Sequence, residues 1–429
     1  IPNMVRCADV ANLAARMLSG DATASLKAVE DLMPLLVCSG SSNGIPVPAR
    51  QDELGAIPEL LEGLSNLLRN GCCDGRYLCC LTLSYLLHCH TPNIRLVGKT
   101  PGIFEGISEA LCEPRLQGTA CGVLSQLAFG DRENGARISE TRFILDRLTA
   151  VLLAGGKASD MQSATCAISN CAANSPELAS RIISVPGLLE AVLELCGEPK
   201  AGDPERDSRT RVSAIGCIDN LSYHQEVRSL LRTPEVLRVL APVLEARWDR
   251  SLGDSFRVMS AESAMVISRL ALATELPLFR VEGDVLRTIM RCLRCAMDGE
   301  QLAAFAWRLG ELLEPVCRLT SNIYNCHVLS ADGACRDLVR VLQMPECSDD
   351  PMTTLSGHAP SAGKAHCVHA LANLAAHPAC RAALAGVRVP PLGAPPGGRQ
   401  AWQSAAGVLE RFSAEGGVGA GVQLDAGIW

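Results

Sequence analysis

The sequence predicts an all-α fold assembled from repeated helical units, and three observations carry that expectation. Of its 429 residues 48% are apolar but only 3% are aromatic, so Leu, Ala, Val and Cys must fill the core, and such side chains suit close helix–helix packing. Apolar residues recur at i, i+3, i+4 and i+7, and no segment stands out with the period-two alternation of a strand. One short segment, loosely small-x-x-x-aliphatic-x-Asn-aliphatic, returns along the whole chain.

Taken in order, Ala11-Asn12-Leu13-Ala14 is a divergent N-terminal copy. Residues 1–54 read as N-terminal helices, a divergent first repeat and the polar insertion Ser39–Asp52. Leu60, Leu61, Leu64, Leu67 and Leu68 then mark one helical face, and Leu188, Leu189, Val192, Leu193 and Cys196 another. Copies that keep the apolar frame without the Asn are Leu83-Ser84-Tyr85-Leu86, Leu124-Ser125-Gln126-Leu127, Ile267-Ser268-Arg269-Leu270 and Leu409-Glu410-Arg411-Phe412. Copies with the Asn are Ile168-Ser169-Asn170-Cys171, Ile218-Asp219-Asn220-Leu221, Thr320-Ser321-Asn322-Ile323 and Leu371-Ala372-Asn373-Leu374.

Between them, Asn70-Gly71, Gly130-Asp131, Ser175-Pro176 and Thr233-Pro234 supply turns and helix starts. The copies lie about 40–50 residues apart, and the longer steps carry polar or Pro/Gly-bearing insertions at Gly197–Ser208, Arg247–Asp254 and Met344–Gly363. Gln301–Leu313 reads as an added or lengthened helix broken at Pro315. Residues 386–398 form a Pro/Gly linker, and 399–429 a final helix and a mobile tail.

With these units on the page, the chain resembles the armadillo-repeat family. Its unit is a short first helix, a second helix opened by a Gly-Ala-Ile-Pro-like turn, and a long third helix ending in Leu-Ser-Asn-Leu. Gly55-Ala56-Ile57-Pro58-Glu59-Leu60-Leu61 matches that opening almost letter for letter, and the resemblance covers residues 55–385. It implies a right-handed α-solenoid of about seven to nine repeats, with third helices lining a groove. It also implies that the Asn near each third-helix end bonds the backbone of an extended partner peptide, as an amide that both donates and accepts can do. Carried over by position, the candidates are Asn170, Asn220, Asn322 and Asn373, with Arg269 at the same place in another copy. The alternative is that such Asn residues cap their own helix or bond a neighbouring turn.

Importin-α-type members pair that Asn with a Trp one turn earlier. Here Cys166, Gly216, Arg318 and His369 stand four residues before, so the slots for basic peptides are missing, and Trp307 and Trp402 read as core or interface. Residues 78–88 and 119–128 contain no charge, whereas Arg209, Arg211, Arg269, Arg318, Lys364 and Arg411 populate later copies against few acids such as Glu262. The first half is expected to take neutral or apolar ligands and the second an acidic segment, as the catenin branch does.

A net charge of −7 supplies no basic field for nucleic acid or anionic membrane. No apolar run approaches the roughly 18 residues of a membrane span. The opening Ile1-Pro2-Asn3-Met4 has no apolar leader core and reads as the start of a processed chain or a fragment. Twenty-one cysteines, mostly at apolar helical positions, point to a reducing, cytoplasmic setting.

Catalytic and metal motifs are weak. Gly98-Lys99-Thr100 ends like a phosphate loop, but Asn93 replaces its first Gly and Pro101-Gly102 stands where a helix must start, so it reads as a turn. Gly417-Val418-Gly419-Ala420-Gly421 lacks the flanking strand and helix of a dinucleotide site, and no Gly-x-Ser-x-Gly elbow exists. His366, Cys367, His369, His377 and Cys380 have the donor types for zinc, yet both cysteines occupy apolar repeat positions. Cys292-x-x-Cys295 lies in a continuous helical pattern instead of a redox turn. The expectation is therefore a protein with no enzymatic activity or cofactor that binds a protein or extended peptide, or serves as a subunit of a larger assembly. A regulator of a GTPase or chaperone ATPase, acting as an exchange factor, is the alternative.

Overall fold

Helices form where the sequence supplies an apolar stripe and a stop at each end. Pro48, Pro58, Pro176, Pro234 and Pro378 each open a helix, where the missing amide would have had no partner. Asp131 Oδ1 accepts the Asn134 amide at 2.8 Å and Ser175 Oγ the Leu178 amide at 3.2 Å, capping first helices of successive repeats. Gly102, Gly187 and Gly333 take φ of 78°, 77° and 91° just before second helices, a left-handed turn that glycine makes without a Cβ penalty. Phe143 makes the same turn at φ 67°.

The computed structural model describes residues 7–36, 46–197, 209–245, 253–302, 305–347 and 359–384, and it divides into two compact units, Ile1–Glu226 and Val227–Trp429. The first unit begins with the pair α1 (Cys7–Leu18) and α2 (Ala22–Leu36). Four three-helix repeats follow. They are α3 (Pro48–Gly55), α4 (Pro58–Asn70) and α5 (Cys73–Leu87); α6 (Thr91–Lys99), α7 (Ile103–Ala110) and α8 (Gln117–Ala128); α9 (Arg132–Glu140), α10 (Ile144–Ala154) and α11 (Ala158–Asn174); α12 (Pro176–Ile183), α13 (Leu188–Cys196) and α14 (Arg209–Tyr223). Like packs on like: α2, α5, α8, α11 and α14 form one consecutive stack, and α3, α6, α9 and α12 another.

The second unit runs α15 (Arg228–Leu231), α16 (Pro234–Glu245) and α17 (Gly253–Leu270). A 3₁₀ turn, Leu276–Leu278, then takes the place of a first helix before α18 (Gly283–Asp298) and α19 (Leu309–Leu319). A further repeat is α20 (Ile323–Ala331), α21 (Ala334–Gln343) and α22 (Ser361–Ala376), and α23 (Pro378–Leu384) opens the next. Here α17, α19 and α22 form the third-helix stack.

The stripe Leu60, Leu61, Leu64, Leu67 and Leu68 is buried throughout, as are Leu188, Val192, Leu193 and Cys196, while Leu189 is half-buried. Cys121, Cys171, Cys217 and Cys317 are core residues, and all eighteen cysteines with described side chains are free. Burial pushes the Cys171 thiol up to about 12, so it packs as a small hydrophobe and forms no thiolate.

Three expectations need correction. Helix α3 begins at Pro48, so the first full repeat starts inside the segment assigned to residues 1–54. Gln301–Leu302 pairs antiparallel with Phe305–Ala306, and α19 then runs from Leu309 straight through Pro315; Gln301–Leu313 is therefore not one helix and Pro315 breaks none. Glu346–Cys347 pairs in parallel with Ala359–Pro360, within the Met344–Gly363 insertion, and α22 starts at Ser361 before that segment ends. Ladders of two residues leave no alternating pattern to read. The linker and tail expected over 386–429, with Arg411 and Trp402, lie outside the described residues.

Candidate functional site

The third helices of the first unit place one residue of each recurrent segment in corresponding, half-exposed positions: Tyr85 on α5, Gln126 on α8, Asn170 on α11 and Asn220 on α14. The two asparagines are linked to the repeat before. Asn170 Nδ2 donates to Ser125 O at 2.9 Å, and Asn220 Nδ2 donates to Ser169 Oγ at 2.9 Å and Ser169 O at 3.3 Å. Among the described residues neither Oδ1 receives a hydrogen bond. Gln126 Oε1 is buried and also lacks a partner among them.

Why asparagine recurs here follows from helix ends. The last four carbonyls of α8 have no partner within the helix. Asn170 takes Ser125 O, Asn134 takes Leu127 O at 3.0 Å, Asn174 takes Ala128 O at 3.0 Å, and the Phe129 amide takes Gln126 O at 3.2 Å. All four are thus satisfied, three of them by asparagine side chains from the following repeat. The capping alternative raised by the sequence describes the Nδ2 half of Asn170, while its Oδ1 half receives no hydrogen bond among the described residues.

One turn earlier the same face carries Leu81, Gly122, Cys166 and Gly216, all partly exposed. A Cβ built on Gly122 would meet nothing within 4 Å, so the floor between the polar rungs is open and small. Charge lies mainly at the beginnings of these helices: α5 has Asp74 and Arg76, α8 none, α11 only Asp160, and α14 Arg209 and Arg211, while Asp219 near the end of α14 is buried.

The second unit departs from this pattern. Arg318 of α19 occupies the rung position, its Nε donating to Ser268 O at 2.6 Å and its guanidinium to Ala271 O at 2.5 Å. Asn322, expected on a third helix, is instead 6% exposed at the N-cap of α20. Its Oδ1 accepts the Tyr324 and Asn325 amides at 3.0 and 3.2 Å, and its Nδ2 donates to Pro277 O at 2.7 Å. Arg318, four residues before Asn322, is thus the third-helix counterpart of Asn170 and Asn220, and Asn322 belongs to the next first helix.

Arg269, also expected at the groove, is only 3% exposed and donates to Glu311 O. Lys364 donates to Met344 O and Arg211 to Cys196 O. Of these cations only Arg269 is withdrawn from the surface; Arg211, Arg318 and Lys364 stay half-exposed while bonded to backbone carbonyls, and Arg209 is exposed. Asn373 Nδ2 donates to Thr320 Oγ1 at 3.0 Å and remains half-exposed.

Beside Arg318, Arg228 grips Glu314 through two parallel bonds of 2.6 and 2.7 Å. Burial pushes the Glu314 carboxyl up, but the Arg228 bonds and the charges of Arg228 and Arg269 outweigh it and hold it below the ordinary value. Burial holds His366 and His369 below the ordinary imidazole value. No group of three or more His, Cys, Asp or Glu side chains among the described residues is arranged to hold a metal ion. Trp307 packs against the second unit's core, as its sequence context implied.

No family model matches the chain, and no curated protein does. Among solved structures, one titled for a phosphorylation switch in the interaction between cadherin and β-catenin has a TM-score of 0.58 at 12% identity, covering 95% of this chain and 75% of that one. The fold is armadillo-like. A designed armadillo repeat protein in complex with the peptide (KR)4 has a TM-score of 0.48 at 16% identity over 59% of this chain and 99% of that one. Another designed armadillo repeat protein has 0.46 at 15% over the same shares. Among the described residues the armadillo-like chain has no helix long and apolar enough to cross a membrane.

Proposed function

We propose that the protein is a non-catalytic armadillo-type scaffold that binds a protein partner as an extended segment across α5, α8, α11 and α14. One observation carries the reading. Asn170 and Asn220 anchor their amides to the neighbouring repeat and leave Oδ1 acceptors at equivalent positions. Two acceptors set one repeat apart match spaced N–H donors of an extended backbone. Their uncharged surroundings favour a neutral or apolar segment, and the small floor at Gly122, Cys166 and Gly216 lets its backbone approach closely. The likeness to a structure whose title concerns cadherin and β-catenin accords with a protein partner. Cysteines placed in the apolar core, such as Cys171 and Cys217, accord with a reducing compartment.

The test is affinity for the partner recovered by pull-down and mass spectrometry from the native source. Asn170→Ala with Asn220→Ala should weaken binding by roughly tenfold or more with native helicity. Unchanged affinity refutes recognition through these rungs.

A further inference from the structure

Glycine inside a helix makes it less stable than alanine would, so each such glycine of the first unit needs a reason to be there. At most of them a neighbouring helix supplies it. A Cβ on Gly98 would overlap Asn134, one on Gly118 would overlap Asp160, and one on Gly106 would come within 2.6 Å of Leu68. Gly63 is met by Met17 at 3.0 Å and Gly75 by Leu67 at 3.2 Å. Gly122, inside α8 and one turn after Gly118, is different, because a Cβ there would meet nothing within 4 Å. No described residue uses the space, and α8 on its own would be better served by alanine.

The space lies on the face that carries the rungs. Leu81 of α5 and Cys166 of α11 hold the corresponding places on the two third helices packed against α8, and both are half-exposed. Cys166 Sγ is engaged with the repeat beyond, 3.6 Å from Ser213 Oγ of α14. One turn on stand Tyr85 of α5 and Gln126 of α8, and Gln126 Oε1 is buried, so α8 presents no acceptor equivalent to Asn170 Oδ1. Nor does α8 carry a charged residue. This stretch therefore offers a ligand apolar surface around a gap, where α11 and α14 offer acceptors.

We propose that the gap over Gly122 receives one large apolar side chain of the bound segment, such as leucine or phenylalanine, and that Gly122 selects it; this role depends on the segment binding across the third helices as described above. The lining decides the occupant. With Leu81, Tyr85 and Cys166 around the gap and no charge on α8, a charged side chain would be desolvated without a partner. An alanine-sized one would leave the gap unfilled and forfeit its contacts. A large apolar side chain is removed from water there. The Asn170 and Asn220 acceptors thus hold the backbone of the segment, and the gap distinguishes one of its side chains.

The test uses the intact chain and peptides selected on it from a random display library, with affinities measured by titration calorimetry. Gly122→Leu fills the gap from the protein side and should weaken binding by roughly tenfold or more, while melting no lower than the parent. Gly122→Ala should melt higher than the parent. Replacing the large apolar residues of the peptide by alanine one at a time should reveal one whose loss costs roughly tenfold in the parent and little in Gly122→Leu. Lysine at that peptide position should cost at least as much as alanine. If Asn170→Ala with Asn220→Ala weakens the peptide and Gly122→Leu does not, the gap proposal falls and the third-helix reading stands; if neither weakens it, both fall. No selected peptide sensitive to Gly122→Leu, no apolar residue of the peptide coupled to Gly122, full affinity with lysine at the coupled position, or a Gly122→Ala that melts below the parent overturns the proposal.

Discussion

The Arg269 guanidinium donates to the backbone carbonyl of Glu311, the very group that Pro315 leaves without an amide partner four residues on. A proline inside a helix removes one backbone bond and orphans one carbonyl. Here a buried cation from the preceding third helix fills the gap. That explains both why α19 continues through its proline and why Arg269 is withdrawn from the surface. Arg269→Met should destabilise the chain by about 2–3 kcal/mol, the cost of a lost charge-assisted bond and an orphaned carbonyl. Pro315→Ala should restore part of this in the Arg269→Met background, because the returned amide serves Glu311 O. Urea unfolding of the two single variants and the double variant checks the coupling, and strict additivity would contradict it.

First helices stack through a glycine and an asparagine. Asn134 Nδ2 donates to Ile94 O at 2.9 Å, and a Cβ built on Gly98 would overlap the Asn134 amide. The same pairing recurs between Gly55 and Asn93, whose Nδ2 donates to Gln51 O at 2.8 Å. Gly98→Ala should therefore cost about 2 kcal/mol by overpacking, although alanine is the better helix former at an unconstrained site. Thermal melting settles the sign, and a stabilised variant would show that the notch is dispensable.

Asn322 and Asn170 should behave differently on substitution. Asn322→Ala removes an N-cap and a bond to Pro277 O, so it should lower stability by about 1–2 kcal/mol and leave affinity for a third-helix ligand unchanged. Parallel denaturation and binding measurements on the two variants make the comparison.

Acid should weaken the second unit. Burial keeps His366, His369 and His377 below their ordinary value. The unfolded chain thus takes up protons that the folded chain refuses as pH falls through the ordinary imidazole range, and stability drops there. Around His366, Glu314 pulls the imidazole up, while Arg228, Arg318 and His369 push it down. Glu314 acts lower on the scale: its depressed carboxyl adds stability above the ordinary carboxylate range, lost as pH falls through its folded value. Unfolding midpoints at pH 7.5, 6.5 and 5.5 should fall in that order, with a shallower slope in His366→Asn.

Most of the fold was legible because leucine spacing and the Pro/Gly turns record local geometry directly. Leu60, Leu64 and Leu68 fix a buried face, and Pro186-Gly187 fixes a turn, without reference to the rest of the chain. Asn170 and Asn220 fall at corresponding third-helix positions, as their shared segment frame implies. Arg318 was missed because an arginine reaches the previous repeat's carbonyls with a different side chain, while Asn322 four residues later offered a better letter match. The burial of Arg269 depends on Glu311, far along the sequence, and no local pattern announces it. Gly122 is equally silent in the sequence, where it looks no different from Gly118 one turn before. The fold shows that Asp160 takes the space beside Gly118 and that no described residue takes the space beside Gly122.

The most direct test of recognition by the third helices is photo-cross-linking. A peptide selected from a random display library on the intact chain would carry benzophenone at successive positions, and its adducts would be mapped by mass spectrometry. The rungs require adducts along Tyr85, Gln126, Cys166, Asn170 and Asn220, advancing by one repeat as the label moves along the peptide. Adducts confined to the second helices α4, α7 and α10 would contradict it.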